Sequence, residues 1–552
     1  MKKVLCALFA LSAAAQVVAQ EVNIKLLGTS DVHGRIVPWS YGADVEDKSG
    51  SYAQIATYVK QVRAANKNVL LVEVGDAIQD NQVEVFAKDP KYYNDHPIPK
   101  VLNEMNYDIF VLGNHEFNFG MPALDEILKD LHAKKLTANF YHKDGRRYID
   151  DSTIIEKDGV KLGIFGLSTP MSAKFEEDTG NLKEMKFTSP TEEARAQVAK
   201  LKAQGADAII AVAHMGIDNE NNIPDTGVRD VVNAVDGIDV IIAGHMHKNV
   251  PSEIINNTLI TEPHRYGTVV SEVDLTFDVN GKDVKLVKKA ATTVPVKALD
   301  GDKKIAEIYE PYHQELRRLN NIVIGQTENE MVEQRKNHGV SIAFSKDTGL
   351  SSFITDAELY YSGADVVSFA FDYETVRQPK GEIKKKDIIY NYRYAGGDVT
   401  VYELTGKQLK EYMNWSADYF NTIQAGDENY RYDEKRGKSK YVTFDIFGGV
   451  KYKIDLRNPS GAKIVDLTLA NGKPVTDEMK LKVGMNSYRF AQLNGKGGIW
   501  EGQQIPVLWE SKVAMGREKG TIQNMMIDYL TNVKKGKIDG LSHNRWEIIG
   551  LD

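Results

Sequence analysis

The sequence is almost without cysteine, with one among 552 residues. A disulfide framework and a thiolate metal site both need several cysteines, so the composition excludes both. Basic residues are not in surplus either, because 69 Lys and Arg stand against 77 Asp and Glu, for a formal net charge of -8. A groove for a nucleic-acid polymer needs a basic surplus to displace counterions, so we predict no such partner. Small anionic ligands at a local site remain allowed.

Long apolar runs are also missing from most of the chain. No segment after residue 20 approaches the roughly 18 apolar residues of a spanning helix, so we predict no membrane span. At the N-terminus, Lys2 and Lys3 precede the apolar run Val4–Leu11, and residues 17–19 offer small side chains for cleavage. This layout is typical of a secretory signal peptide over residues 1–19, which predicts a periplasmic or secreted protein.

The first half of the chain alternates short apolar strands with amphipathic helical stretches, a pattern typical of an α/β layered domain. We predict helices over Ser51–Ala65 and Pro190–Gln204. The predicted strands are Asn23–Leu27, Val69–Val74, Ile109–Val111, Leu162–Gly166, Ala208–Val212 and Val240–Ala243.

A charged stretch from Asp300 to Asn320 is predicted as a linking helix, and a second α/β unit richer in Tyr and Gly follows it. In this unit we predict helices over Thr355–Tyr361 and Thr405–Asn421, and strands over Tyr441–Phe447 and Lys451–Leu456. The predicted domains are residues 20–299, a linking helix at 300–322, and residues 323–552.

Polar side chains follow five of the predicted strands at the point where each strand ends. In chain order these fragments are DVHG at 31–34, GD at 75–76, GNHE at 113–116, AH at 213–214 and GHMH at 244–247. Because the carboxyl ends of strands in an α/β sheet meet at one crevice, we expect these groups to converge. Their oxygen and imidazole donors suit Zn, Mn, Fe or Co, and the pattern leaves the choice among these metals open.

In this order the fragments resemble the signature of the calcineurin-like metallophosphoesterases, over about residues 23–292. The resemblance implies a layered β-sandwich flanked by helices, with two divalent ions that clamp an in-line phosphoryl displacement. The implied ligands, with Asp76 shared as a bridge, are Asp31, His33, Asp76 and His247 for one ion and Asp76, Asn114, His214 and His245 for the other. His115 resembles the family's catalytic histidine, which stabilises the transferring phosphoryl group or protonates the leaving oxygen.

The second half resembles the C-terminal substrate domain of the exported nucleotidase family. The matching phrases are LTGKQLKEYMNWSADYFN at 404–421, YVTFDIFGGVKYKIDL at 441–456 and NSYRF at 486–490. In that family two aromatic rings sandwich the nucleobase, and the corresponding residues here are Tyr394 and Tyr488, for which core packing is the alternative. Asn486 and Gly449 are further candidates for this pocket.

Two departures distinguish branches of that family. Three residues after His115, where the 5'-nucleotidase branch has an Asp, this sequence has Asn118, which can orient the imidazole but adds no charge. The Gly-Gly-Ile-Arg motif of 5'-nucleotidases is absent, and Phe369–Glu374 stands in its place. GNHEFNFG at 113–120 instead resembles the 2',3'-cyclic-nucleotide 2'-phosphodiesterase/3'-nucleotidase branch, which implies a small nucleotide substrate.

Other functions stay open at this point. A 5'-nucleotidase or nucleotide-sugar hydrolase is the alternative enzyme, and a protein that binds nucleotides without turnover is the alternative of a different class. No feature of the sequence implies a protein partner.

Overall fold

The computed structural model describes residues 20–437 and 442–551, so the predicted signal peptide lies outside the described residues. The chain divides into two compact units, one ending at His313 and the other beginning at Gln314, with residues 41–44 belonging to the second. The predicted linking helix is present as Lys303–Asn320 and contains the boundary between the units. Among the described residues, no helix combines the length and apolar character needed to cross a membrane.

Two six-stranded sheets form the first unit. In spatial order, one sheet consists of Asp283–Pro295, Val269–Asn280, Gln20–Thr29, Val69–Glu73, Ile109–Val111 and Lys134–Leu136. The other consists of Asn249–Ile255, Thr258–Pro263, Val240–Ala243, Ala208–His214, Val160–Ser168 and Ser152–Lys157. In each sheet four neighbouring strands run parallel, and antiparallel strands complete the sheet. All six predicted strands of this unit are confirmed, with ends shifted by up to three residues.

The two sheets share one apolar core. Leu26 and Val72 from the first sheet belong to the same fully buried cluster as Ile210 and Ile242 from the second. A further cluster joins the second sheet to the helices Pro190–Ala203 and Val228–Ala234 through apolar side chains of each. Strands covered on both faces have near-continuous apolar sequences, which is why these strands were visible in the sequence. The unit is therefore the predicted β-sandwich flanked by helices.

Shorter elements complete the first unit. Its other helices and helical turns are Tyr52–Ala65, Glu84–Lys88, Pro90–Asp95, Pro97–Glu104, His115–Phe117, Met121–Lys129, Ser172–Phe175 and Glu220–Asn222. Its two-stranded sheets are Trp39–Ser40 with Val45–Glu46 and Phe140–His142 with Met185–Phe187. Ser51 and Ser189 each precede a predicted helix and accept a hydrogen bond from the backbone N–H three residues later, which has no partner within the helix.

The second unit is α/β as well. Its largest sheet consists, in spatial order, of Ile446–Gly448, Val366–Phe369, Lys480–Met485, Thr400–Thr405 and Val507–Glu510. One three-stranded sheet consists of Ile464–Leu469, Val450–Asp455 and Trp546–Ile549, and another of Gly381–Lys384, Val323–Thr327 and Lys537–Ile538. Lys336–Asn337 and Val340–Ser341 form a two-stranded sheet. Its helical segments are Ile342–Phe344, Gly349–Ser362, Lys385–Asn391, Gly406–Ala417, Glu434–Gly437, Ser487–Asn494, Ser511–Met515, Ile522–Asp528 and Tyr529–Val533. Both predicted helices are present, one longer than expected and one ending earlier.

One predicted strand of this unit is wrong over most of its length. Residues 442–445 form no strand, and the strand begins only at Ile446. The reason lies in side-chain hydrogen bonding. The backbone N–H of Asp445 donates to Ser416 Oγ at 2.7 Å, and the backbone oxygen of Thr443 accepts from Arg436 at 2.7 Å. These backbone groups therefore have partners other than a neighbouring strand.

Candidate metal centre

The loops that follow the first two parallel strands are joined by backbone hydrogen bonds. The amide of Asp31 donates to Gly75 O and the amide of His33 donates to Asp76 O, each at 2.9 Å. The buried carboxylate of Glu116 then ties the third loop to the second. It accepts N–H bonds of 2.7, 2.8 and 2.7 Å from Gly113, Asp76 and Ala77. These hydrogen bonds connect the three loops that carry the predicted ligands.

Five of the predicted ligands have a left-handed backbone conformation, which residues other than glycine rarely adopt. They are Asp31 (φ 53°), His33 (φ 50°), Asp76 (φ 59°), His245 (φ 73°) and His247 (φ 56°). Each such residue costs about 1–3 kcal/mol and persists only where the surrounding structure determines it. This concentration of strain in one cluster is typical of a functional site.

Two glycines allow the loops to approach one another. A Cβ on Gly113 would lie 2.2 Å from Asp76 Oδ1, and one on Gly244 would lie 2.1 Å from Ser30 Oγ and 3.1 Å from Asp31 Oδ2. At Gly113 a side chain would also collide with the backbone nitrogen of Asp76 at 2.6 Å, and at Gly244 it would displace the Ser30 hydroxyl beside Asp31, so both motifs favour glycine beside their ligands.

The first group of donors consists of Asp31, His33 and His247, whose ligand atoms all lie within 4.8 Å of one another. His33 Nε2 is 3.1 Å from His247 Nε2, and the latter is 3.3 Å from Asp31 Oδ1. Asp31 Oδ1 is buried and has no hydrogen-bond partner. A buried carboxylate oxygen without a hydrogen-bond donor is costly unless a cation binds it. The donor set therefore fits a divalent ion.

The second group consists of Asp76, His214 and His245, again with ligand atoms within 4.8 Å of one another. His214 Nε2 lies 3.1 Å from Asp76 Oδ2 and 3.2 Å from Asn114 Oδ1, and His245 Nδ1 lies 2.8 Å from the same amide oxygen. The two groups adjoin, since Asp31 Oδ1 is 4.0 Å from His214 Nε2. By distance Asp76 belongs to the second group, and its predicted bridging of both ions stays a prediction.

Three of the four histidines hold their second ring nitrogen against an acceptor. Nδ1 of His214 lies 3.1 Å from Val74 O, and Nδ1 of His33 lies 3.3 Å from Gln79 O. His245 Nε2 lies 2.9 Å from a carboxylate oxygen of Glu220. An acceptor on one nitrogen holds the proton there and leaves the other nitrogen free to bind a metal. The fourth, His247, differs, because its Nδ1 faces a guanidinium 3.3 Å away.

The charges of the cluster favour a bound cation. Burial lowers the pKa of His33 to about 4, so the ring is neutral near pH 7, as a ligand must be. Burial acts in the same direction on His214, but the carboxylates of Asp76 and Asp31 outweigh it and raise the pKa of this ring to about 10. A pocket that holds a proton so firmly favours positive charge, and a divalent ion supplies that charge in place of the proton.

Both halves of the chain match family models. Residues 24–249 match the calcineurin-like phosphoesterases, and residues 323–501 match the 5'-nucleotidase C-terminal domain. The chain therefore carries a calcineurin-like phosphoesterase domain followed by a 5'-nucleotidase C-terminal domain. The phosphoesterase is thus a hydrolase of phosphate esters, and its family uses a dinuclear metal site of the kind that the two donor groups can form.

Similar proteins are known from several bacteria. The trifunctional nucleotide phosphoesterase protein YfkN of Bacillus subtilis is 26% identical over 96% of this chain, which spans only 39% of that protein's length. The 2',3'-cyclic-nucleotide 2'-phosphodiesterase/3'-nucleotidase of Salmonella typhimurium is 26% identical over 89% of this chain and 84% of its own. A crystal structure of a Staphylococcus aureus protein has a TM-score of 0.71 at 21% identity, covers 96% of this chain and all of that one, and shows the shared fold.

The predicted catalytic pair of the phosphoesterase lies beside the two groups. Nδ1 of His115 is 2.7 Å from Oδ1 of Asn118, and the amide of His115 donates to Asp76 Oδ1 at 2.8 Å. The ring of His115 packs edge-on against that of His33, with centroids 5.4 Å apart. His115 is therefore within reach of groups bound at the donor cluster.

Several residues of the site carried no motif of their own. Glu116 stood inside the GNHE fragment without an assigned role, although its three backbone contacts organise the loops. Glu220 and Arg265 contact two of the ligand histidines, and Glu176 contacts Asn118. The last three come from loops far along the chain, so no local spacing could identify them.

The predicted substrate residues lie in the second unit of the phosphoesterase. Tyr394 and Tyr488 are both 52% exposed, so neither ring is a core residue. Asn486 precedes the helix Ser487–Asn494 and accepts from the amide of Tyr488 at 2.9 Å. Gly449 is buried with φ 83°, and a Cβ there would lie 2.2 Å from Asp365 O, which accounts for the glycine without a ligand.

Proposed function

We propose that the phosphoesterase hydrolyses 2',3'-cyclic nucleotides and then removes the 3'-phosphate to release a nucleoside. The observation that carries this proposal is the pairing of His115 with Asn118, where an Asp would characterise the 5'-nucleotidase branch. The relative from Salmonella typhimurium, which bears the name of this activity, supports it. If residues 1–19 act as the predicted signal peptide, the substrates are nucleotides outside the cytoplasm.

We infer that two divalent ions bind at the two donor groups. Their proposed ligands, with Asp76 shared, are Asp31, His33, Asp76 and His247 for one and Asp76, Asn114, His214 and His245 for the other. Bound there, the ions supply Lewis acidity to the attacking water and to the phosphoryl oxygens. Zn, Mn, Fe and Co are all compatible with these nitrogen and oxygen donors.

His115 handles the leaving oxygen in this proposal. Because Oδ1 of Asn118 accepts from Nδ1 of His115, Nε2 is the nitrogen that faces the reacting group. Water attacks phosphorus and gives up a proton to the solvent, the bond from phosphorus to the 2'-oxygen breaks, and the doubly protonated ring of His115 passes its Nε2 proton to that oxygen. The 3'-phosphate left by this step is the substrate of the second hydrolysis.

Base recognition is assigned to the second unit. The strand Thr400–Thr405 pairs with Lys480–Met485, with Thr400 opposite Met485. The segment that contains Tyr394 enters the first strand at this end, and the segment that contains Tyr488 leaves the second strand here. Ser487 Oγ joins the two segments by donating to Asp398 Oδ1 at 2.8 Å. Two exposed rings, carried by segments that meet at the same end of this strand pair, are suited to stacking on a flat base.

Replacing Tyr488 by Ala should raise KM for 2',3'-cyclic AMP about tenfold or more, because base stacking on an aromatic ring contributes roughly 1–3 kcal/mol. The kcat should change little, since stacking on the base contributes to binding and takes no part in phosphoryl transfer. Steady-state kinetics measures both constants. Tyr360→Ala, at a tyrosine that is 58% exposed in the same unit, is the matched control. Equal KM values for the two variants would contradict a role of Tyr488 in base binding.

The substrate panel that tests the proposed function contains 2',3'-cyclic AMP, 3'-AMP and 5'-AMP. With the purified metal-loaded protein, kcat/KM should be highest for the cyclic and 3' substrates. A preference for 5'-AMP by more than tenfold would instead establish the 5'-nucleotidase alternative. Binding of all three without turnover, at fewer than two metal ions per chain after metal addition, would establish a nucleotide-binding protein.

A further inference from the structure

We propose that Glu176 is a positioning residue that holds the proton of His115 on Nδ1 through the amide of Asn118. The inference rests on the proposed role of His115 in hydrolysis. It assigns the carboxylate that the sequence lacks at position 118 to a residue 58 positions further along the chain. A chain of hydrogen bonds from Asn181 through Glu176 and Asn118 to His115 leads to this assignment.

The first step fixes the amide of Asn181. Its Nδ2 lies 3.0 Å from the backbone oxygen of Phe117 and 3.2 Å from that of Asn118. Backbone oxygens only accept, so the NH2 group must face them. The same Nδ2 is 2.9 Å from Oε2 of Glu176, and Thr179 Oγ1 donates to that oxygen at 2.6 Å. Glu176 is therefore an acceptor on this side.

The second step fixes the amide of Asn118. Its Nδ2 is 2.5 Å from Oε1 of Glu176, and a carboxylate oxygen accepts hydrogen bonds. The NH2 group of Asn118 must therefore face Glu176, which turns its Oδ1 toward His115. Oδ1 accepts at 2.7 Å, so Nδ1 of His115 keeps its proton throughout, and Nε2 is the nitrogen that gains and gives up the proton passed to the leaving oxygen.

The surroundings of Glu176 argue against a purely structural role. The residue is 1% exposed, and burying a carboxylate is costly unless hydrogen bonds compensate for the lost water. It also ends the short helix Ser172–Phe175, where the helix dipole disfavours negative charge. Asn118, Asn181 and Thr179 donate to this carboxylate, and through Asn118 its orientation reaches His115.

Glu176→Gln should reverse the chain of hydrogen bonds. Asn181 still requires an acceptor, so the Gln oxygen faces it and the Gln NH2 faces Asn118. The amide of Asn118 then turns over, and its own NH2 opposes a proton on Nδ1 of His115. We expect kcat for 2',3'-cyclic AMP to fall about 100-fold, the usual scale of lost proton transfer. For bis(p-nitrophenyl) phosphate, whose leaving group needs no proton, the loss should stay within about threefold.

The double variant Glu176→Gln with Asn118→Asp is the decisive rescue. An Asp at 118 accepts both from the Gln NH2 and from Nδ1 of His115, so the original proton position returns. We expect kcat for 2',3'-cyclic AMP to be at least tenfold higher than in Glu176→Gln. Asn118→Asp alone places two carboxylates next to each other and should lower kcat. Glu177→Gln, at the exposed neighbouring position, is the matched control.

The ring 15N chemical shifts of His115, assigned with His115→Gln, test the inference without any substrate. With the ring neutral, the proton should lie on Nδ1 in the wild type and the double variant, and on Nε2 in Glu176→Gln. A proton on Nε2 of the neutral wild-type ring would overturn the inference, and this test does not require Glu176→Gln or the double variant to fold. A loss in kcat of the double variant equal to the product of the two single-variant losses would also overturn it. If the wild type cleaves the aryl ester but no nucleotide, the proposed function is refuted. The 15N chemical shifts of His115 then still test the role of Glu176.

Discussion

Asp76→Asn should reduce kcat/KM for 2',3'-cyclic AMP by about four orders of magnitude, the scale seen when an essential member of a catalytic unit is removed. The Asp76 carboxylate contacts both His214, at 3.1 Å from Nε2, and the amide of His115, at 2.8 Å. Asn keeps an oxygen for the amide of His115 but loses the negative charge. Metal content, measured by elemental analysis, should fall from two ions per chain to one or none.

Two controls separate this effect from unfolding. Asp178→Asn changes the same functional group at an exposed position of the first unit and should leave both activity and metal content unchanged. Without metal, the thermal unfolding midpoint of Asp76→Asn should lie within a few degrees of that of the metal-free wild type. A variant that still binds two ions and hydrolyses the substrate at the wild-type rate would contradict the bridging role.

His115→Gln should lower kcat for 2',3'-cyclic AMP by about 10²- to 10⁴-fold, since general acid catalysis contributes on that scale. Gln can donate a hydrogen bond to the leaving oxygen but cannot transfer a proton to it. For bis(p-nitrophenyl) phosphate the loss should be much smaller, because that leaving group departs as a stable anion. Steady-state kinetics on both substrates provides the comparison.

The comparison also distinguishes the two roles that the resemblance implies for this histidine. Equal losses on both substrates would favour stabilisation of the phosphoryl group over proton transfer. Full activity of the variant on both would refute any catalytic role. His132→Gln, at an exposed histidine of the same unit, is the matched control and should behave as wild type.

Much of the fold could be predicted from the sequence because the strands of the sandwich are buried on both faces. Ile109–Val111 and Val240–Ala243 were predicted with the bounds that the structure has. Prediction failed for Tyr441–Phe447, where Thr443 and Asp445 bind Arg436 and Ser416 instead of pairing with a strand. Alternating apolar residues do not reveal a competing side chain that approaches from another part of the chain.

The donor cluster was predictable for a similar reason. Parallel strands end at one edge of a sheet, so polar residues just after them converge whatever the details of packing. The left-handed backbone at Asp31 and the close approach at Gly113 were not predictable, because they depend on how the loops meet. The motif residues could therefore be identified from the sequence, while their strained backbone conformation could not.

The sequence by itself determined the chemistry of the phosphoesterase: which donor atoms stand at the strand ends, and that an uncharged Asn follows His115. Only the tertiary structure decided how that Asn is oriented, because the answer depends on Glu176 and Asn181. Contacts between residues 58 positions apart follow from the packing of separate loops and leave no periodicity in the sequence. A carboxylate missing from the motif is thereby present in the site.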